Sequence, residues 1–256
     1  MSDTPSGDFA ALVAAARGRL AELADYILFH TGGYVVDGPF AGMRMPEIAS
    51  WADGDLVPKL LGVYEAELHP PIEAAIARAP DLVVNVGCAE GYYAVGLARR
   101  LPEARIHAFD IAERAREVCA FAAQFNGVGR RVTVEGECTA GRLAELAAGA
   151  ARPLALLDCE GAETALIAPD ALPALARCDL IVECHDFVDP EITETLRGRL
   201  APSHAVTIVA EAGRDPNRHP FVAGLNSFDR WLTMCEFRPE RMHWLIATPR
   251  AANPED

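Results

Sequence analysis

The chain has 256 residues, of which 51% are hydrophobic, so it can bury the core of one α/β domain with an added element. Its formal net charge of −14 excludes the usual nucleic-acid-binding protein, because phosphate binding needs a basic surface. No apolar run approaches the length of about 18 residues that a membrane-spanning helix needs, so we expect no membrane partner.

The cysteines and the N-terminus indicate the compartment. Seven cysteines are scattered singly, without a C-x-x-C pair, which is typical of reduced thiols in a cytoplasmic protein. The first ten residues lack the basic and apolar regions of a secretory signal. We therefore expect a cytoplasmic protein.

The first 80 residues do not fit a sheet pattern. Apolar residues recur at helical spacing from Phe9 to Ile27, and a second helix is predicted from the Pro70-Pro71 pair to Arg78. The segment between them is rich in Gly and Pro but also carries aromatic residues. We predict two parts of the chain: a helical cap over one end of a sheet, residues 1–80, and an α/β domain, residues 81–256.

Residues 81–110 have the pattern of a nucleotide-type site. An apolar strand, Leu82–Val86, breaks at Gly87, and Gly91 opens a helix that runs to about Leu101. A second strand follows and ends at Asp110. Glycines let the chain turn tightly beside a ligand, and a helix start offers free N–H groups. An acid at the end of the next strand can accept hydrogen bonds from two ribose hydroxyls.

Alternation of strands and helices continues to about residue 210. Further strands are predicted at 132–134, 154–157, in the sequence CDLIVECHDF and in AVTIVA, and the C-terminal segment supplies a helix and a last strand. The expected fold is α/β: a Rossmann-like, doubly wound, mostly parallel seven-stranded sheet with an N-terminal helical cap.

The glycine pattern decides which nucleotide-type ligand fits. The G-x-G-x-x-G dinucleotide fingerprint is absent, since Ala89 and Tyr92 stand at its later glycine positions, and so is the G-x-x-x-x-G-K-[ST] phosphate loop. Gly87-x-x-x-Gly91 followed by Asp110 instead resembles motif I and the following acid of class I S-adenosylmethionine-dependent methyltransferases. Asn85 stands where that family usually has an acid, and Glu90 is a candidate to supply the missing charge.

A narrower resemblance covers about residues 34–247. The strings GPFAGM, PKLLGVYEAEL, NVGCAEGYYAVGLA, DCEGAE and EFRPERMHW resemble methyltransferase-like proteins related to the FkbM family. This resemblance implies O-methylation of a small molecule, a sugar or a natural product, with S-adenosylmethionine as cofactor. It implies a small-molecule acceptor as the partner.

The resemblance also implies cofactor roles by position. Residues of the glycine turn should surround the methionine end of the cofactor, Asp110 should hold the ribose, Ile111 should pack on the adenine, and Glu137 should lie near the adenine amine. Two tyrosines are candidates to close over the cofactor. The full expected cofactor set is Tyr64, Asn85, Gly87, Glu90, Gly91, Tyr92, Asp110, Ile111, Glu137 and Asp158.

Three side chains are candidates for catalysis. Asp158 ends one predicted strand, and Glu183 and His185 share a face at the end of the next, so all three should converge where ligands bind. His185 could act as a general base on the acceptor hydroxyl. Alternatively, the three could bind a divalent cation, Mg, Mn or Fe, which lowers the pKa of that hydroxyl. A purely structural role is the third alternative.

Two other classes of protein remain open from the sequence. A nicotinamide-dependent oxidoreductase would need a tighter glycine fingerprint, and a non-catalytic cofactor-binding module would leave the strand-end acids outside the pocket. The sequence also leaves the oligomeric state open, with a homodimer among the alternatives.

Overall fold

A computed structural model describes residues 7–47 and 55–250 of the protein. The helices are α1 (Gly7–Thr31), α2 (Leu56–Leu61), α3 (His69–Ala77), α4 (Tyr92–Arg100), α5 (Glu113–Phe125), α6 (Ala140–Ala148), α7 (Glu163–Leu166), α8 (Leu172–Leu175), α9 (Ile192–Leu200), α10 (Pro220–Ala223) and α11 (Ser227–Leu232), with a 3₁₀ turn at Ala66–Leu68. The strands are β1 (Leu82–Val86), β2 (Arg105–Phe109), β3 (Val132–Glu135), β4 (Pro153–Leu157), β5 (Asp179–Cys184), β6 (His204–Ala210) and β7 (His243–Pro249).

All seven strands form one sheet in the order β3-β2-β1-β4-β5-β7-β6. The first five strands pair in parallel, whereas β7 pairs antiparallel with both β5 and β6. The predicted α/β fold with a mostly parallel seven-stranded sheet is therefore confirmed. The central strands β1 and β4 are buried along their whole length, because helices cover both faces of the sheet.

Two hydrophobic clusters lie on the two faces of the sheet. Alternate residues of β1 point to opposite faces of the sheet. Leu82, Val84 and Val86 belong to one cluster, and Val83 belongs to the other. The cluster that contains Val83 continues into buried residues of the first 80, among them Leu20 and Phe40. The N-terminal segment therefore shares its core with one face of the sheet.

Local chemistry explains why the N-terminal helices begin and end where they do. Pro70 and Pro71 occupy the first turn of α3, as predicted, because that turn does not need their missing N–H groups. The short helix α2 was not predicted; it ends at Gly62, whose left-handed φ of 67° places its N–H on the last turn. Within the described residues, no helix is both long and apolar enough to cross a bilayer.

Candidate active site

A cavity of about 740 Å³ opens at the carboxyl ends of the parallel strands. Its wall includes the last residues of β1 and β2, the residue after β4, and Glu183 in β5. Parallel α/β sheets bind ligands at this edge, where loops diverge from neighbouring strands. The N-terminal segment supplies the facing wall through Arg17, Lys59 and Tyr64.

The turn after β1 is held close to the neighbouring strands. The N–H groups of Gly87 and Cys88 both donate to the carbonyl of Phe109 at 2.9 Å. Gly87 has a φ of 76°, and a Cβ there would lie 1.6 Å from the carbonyl oxygen of Asp158. Glycine is therefore required on both conformational and steric grounds.

Asp110 follows β2 and faces the cavity while its carboxylate is anchored by the backbone. One oxygen accepts the N–H of Ala89 at 3.0 Å, and the other accepts the N–H of Ala112 at 2.8 Å. A carboxylate has about four lone-pair positions, so two remain for a ligand. Ala89 has a left-handed φ of 45°, a conformation that costs energy for a residue with a side chain.

Three more of the expected cofactor residues line the cavity. Ile111 has 81% of its surface exposed, which is unusual for a large aliphatic residue, and Glu137, which is also exposed, lines the same cavity. Tyr64 lies on the facing wall, with its ring 4.5 Å from the Lys59 ammonium.

Asp158 also lines the cavity, whereas the other four expected cofactor residues are not part of its wall. Asn85 is buried, and among the described residues neither polar atom of its amide has a hydrogen-bond partner. Glu90 binds the buried Lys59 ammonium. Gly91 begins α4 with a φ of 91°, and Tyr92 is buried with its ring centroid 5.5 Å from that of Tyr64.

The structure brings Asp158, Glu183 and His185 together on the cavity wall. One ligand atom from each lies within 4.8 Å of the other two. The adjacency of β4 and β5 explains this, because parallel pairing places the two strand ends side by side. His185 Nε2 lies 3.6 Å from Asp158 Oδ1, too far for a hydrogen bond but close enough for strong electrostatic attraction.

Glu163 fixes the orientation of His185. Its carboxylate is fully buried and lies 2.6 Å from His185 Nδ1. That contact makes Nδ1 the proton-bearing nitrogen and leaves Nε2 directed at Asp158 and Glu160. The carboxylate of Glu160 lies 3.6 Å from Nε2. The backbone of Glu160 is left-handed, with a φ of 54°. Neither glutamate was assigned a role from the sequence, although both belong to the DCEGAE string.

The pKa values in this cluster are shifted. Burial raises the pKa of Asp158 to about 7, with the negative charge of Glu65 adding to the shift. Burial and the charges of Asp158 and Glu65 also raise the pKa of Glu183 well above its usual range. Burial disfavours the charged imidazole of His185, but the hydrogen bond to Glu163 and the charge of Asp158 outweigh it and raise the pKa of His185. Such shifts mark a site rich in negative charge.

Arg238 connects this cluster to the N-terminal segment. Its guanidinium lies 2.5 Å from Glu183 Oε1 and 2.5 Å from Glu65 Oε1. It also pairs with Glu236 at 3.0 Å, and both residues line the cavity. Local sequence gave no signal for the contact with Glu183, which joins residues 55 positions apart.

In the loop from residue 213 to 220, the basic side chains bind other parts of the protein. Arg214 pairs with Glu67 and Glu236, Arg218 pairs with Asp37, and His219 Nε2 contacts the carbonyl of Leu61. None of these three residues lines the cavity.

The chain is similar to several solved structures, two of which are O-methyltransferases, although distantly. It has 16% identity and a TM-score of 0.45 to the O-methyltransferase TomG from Streptomyces achromogenes in complex with SAM, covering 73% of this chain and 81% of that one. For the O-methyltransferase from Bacillus cereus in complex with SAH, the identity is 11%, the TM-score 0.46 and the coverage 91% of both chains. For the cofactor-bound Rv0187 from MTB, the identity is 15%, the TM-score 0.49 and the coverage 96% and 98%. No protein-family model and no curated protein matches the chain.

Proposed function

We propose that the protein is an S-adenosylmethionine-dependent O-methyltransferase that acts on a hydroxyl group of a small molecule, a sugar or a natural product. The observation that carries this proposal is one cavity that contains both halves of such a site. A glycine turn with an anchored Asp110 lies on one part of the wall, and a histidine with two carboxylates lies on another.

The residues present suit this cofactor. Asp110 keeps lone pairs that can accept hydrogen bonds from ribose hydroxyls. The exposed Ile111 offers an apolar surface for adenine, and Glu137 can accept a hydrogen bond from the adenine amine. Gly87 in the cavity wall and Glu90, which pairs with the lining residue Lys59, would lie toward the methionine end, and Tyr64 would close the facing side. The bound cofactor supplies a methyl group on a sulfonium cation, and the acidic wall suits that positive charge.

His185 is placed to take the acceptor proton. Its Nδ1 is committed to Glu163, so a neutral ring presents the lone pair of Nε2 to the cavity. Nε2 would receive the hydroxyl proton as the acceptor oxygen takes up the methyl group that the bound cofactor would supply. Asp158 then stabilises the imidazolium, because its oxygen lies 3.6 Å from Nε2.

A divalent cation is the second form of the same proposal. Asp158, Glu183 and His185 offer two oxygen ligands and one nitrogen ligand, a set that suits Mg, Mn or Fe. Glu163 would act as the outer carboxylate that metal-binding histidines commonly have. A bound cation would lower the pKa of the acceptor hydroxyl and orient it.

Radiolabelled methyl transfer to a panel of hydroxylated small molecules tests the function and separates its two forms. We expect His185→Gln to lose transfer by at least about 100-fold while still binding S-adenosylhomocysteine, because general bases contribute roughly 100- to 10,000-fold. His30→Gln, on the exposed surface of α1, is the matched control. Loss of transfer in chelator and recovery with Mg or Mn would favour the cation form, whereas full transfer in chelator would remove it.

A further inference from the structure

Arg17 differs from the other cations in the cavity wall. Lys59 is paired with Asp55 and Glu90, and Arg238 is paired with three carboxylates. Arg17 has no ion pair among the described residues, and its Nε is buried without a hydrogen-bond partner. A guanidinium carries five N–H donors, and the buried Nε–H of Arg17 has no acceptor among the described residues.

The ring beneath Arg17 holds the guanidinium in place. Its guanidinium carbon lies 5.1 Å from the centroid of the Phe237 ring, a cation–π contact. Phe237 adopts a left-handed φ of 52° to present that ring, a conformation that persists only where surrounding structure enforces it. Stacking on an aromatic face leaves the guanidinium edge free for bidentate contact with an anion.

The wall around His185 has the opposite charge and a partly apolar lining, whereas Lys59 and Arg238 are already paired with carboxylates. Asp158 and Glu160 each hold a carboxylate oxygen 3.6 Å from His185 Nε2, so an anionic group would be repelled from that part of the cavity. Phe187, 42% exposed, lies with its ring centroid 5.6 Å from that of His185 and offers an apolar face beside the cluster. If an acceptor has a neutral hydroxyl at one end and an anionic group at the other, charge alone would therefore turn the anionic end toward Arg17 and the hydroxyl toward His185.

We infer that the acceptor carries an anionic group, a carboxylate or a phosphate, which Arg17 binds while the hydroxyl faces His185. This inference rests on the proposed function, because it assigns the two ends of the acceptor of that same reaction. Arg17 determines substrate specificity in this scheme and takes no part in proton transfer.

Calorimetric titration with probes that differ in charge tests the inference. The probes are 4-hydroxybenzoate, its neutral counterpart 4-hydroxybenzamide, and 4-hydroxyphenyl phosphate, each with and without S-adenosylhomocysteine. We expect an anionic probe to bind the wild-type protein about 10-fold tighter than the amide, the discrimination expected of a charged hydrogen bond. The tighter of the two anions identifies the source of the charge.

Two variants complete the test. Arg17→Gln should abolish the preference for the anion, and Arg17→Lys should keep part of it. Arg19→Gln is the matched control, because Arg19 lies on the same helix but pairs with Asp229 and Glu22 outside the cavity. Equal affinity for acid and amide in the wild type, a preference that survives in Arg17→Gln, or no binding of any probe would each overturn the inference. An anion preference without binding of S-adenosylhomocysteine would instead refute the proposed function alone.

Discussion

At the scale of single residues, Asp110 shows how the fold prepares a ligand-binding carboxylate. Two backbone N–H groups fix its orientation and leave about two lone pairs unused, and the residue lines the cavity. A carboxylate held in this way loses little conformational freedom when a diol binds. Its hydrogen bonds to the ligand therefore contribute almost in full to the free energy of binding.

We predict that Asp110→Asn weakens binding of S-adenosylhomocysteine. The amide keeps one acceptor oxygen and loses the charge, and a hydrogen bond to a charged group contributes roughly 1.5–3 kcal/mol, which is about 10- to 150-fold in affinity. Calorimetry with Asp170→Asn as an exposed control measures the change. Unchanged affinity in Asp110→Asn would remove the ribose assignment.

The pair Glu163 and His185 leads to a prediction about pH. Since the pKa of His185 is raised, the neutral base is lost as pH falls through a value above the ordinary 6.5. In metal-free enzyme, the transfer rate should therefore rise with pH through that raised pKa. Glu163→Gln removes the charge that favours the imidazolium, so the rise should move to lower pH.

Rate profiles of wild type, Glu163→Gln and the exposed control Glu194→Gln check this prediction. A profile of Glu163→Gln that coincides with the wild type would show that His185 is not the titrating base.

The sequence predicted the convergence of Asp158, Glu183 and His185 because strand-end positions follow from periodicity and parallel pairing. It did not predict Glu163 as the partner of His185 or Arg238 as the partner of Glu183. These contacts join residues 22 and 55 positions apart, and they depend on how loops fold over the sheet. The sequence did not predict the position of Arg17 either, because its place on the cavity wall follows from the packing of α1.

At the scale of elements, the strands and most helices were predictable from apolar periodicity and from glycine and proline signals. The antiparallel placement of β7 between β5 and β6 was not, since strand order depends on long-range pairing that local sequence does not encode. The helix α2 was also missed, because six residues are too few for a helical period to emerge.

The turn between β1 and α4 allows a direct test. Gly87→Ala should destabilise the fold by at least about 1–3 kcal/mol, because it adds a left-handed strain and a contact with the Asp158 carbonyl. Gly198→Ala is the control, since its Cβ would meet open space in α9, and we expect it to stabilise by about 0.5–1 kcal/mol. Urea unfolding measures both, and a harmless Gly87→Ala would contradict the steric requirement.

At the scale of the whole molecule, buried ion pairs fasten the N-terminal segment to the sheet. Arg214 is almost fully buried between Glu67 of the 3₁₀ turn and Glu236, which precedes β7. Arg238 makes a parallel connection from Glu65 to Glu183. The cavity lies between the parts that these pairs join, so its shape depends on them.

We predict that Arg214→Ala lowers the free energy of unfolding by about 3–5 kcal/mol, because it leaves two carboxylates buried without their partner. Arg197→Ala removes an exposed pair with Glu194 and should cost less than about 1 kcal/mol. Chemical denaturation of both variants gives the two values. Similar losses in the two variants would show that the buried network does not hold the segments together.

The most direct measurement is calorimetric titration of the purified protein with S-adenosylhomocysteine, with and without a divalent metal. We predict a single site with a micromolar dissociation constant, and a metal-dependent change would favour the cation form of the proposal. No binding under either condition would contradict the proposed methyltransferase function and direct the search to other nucleotides.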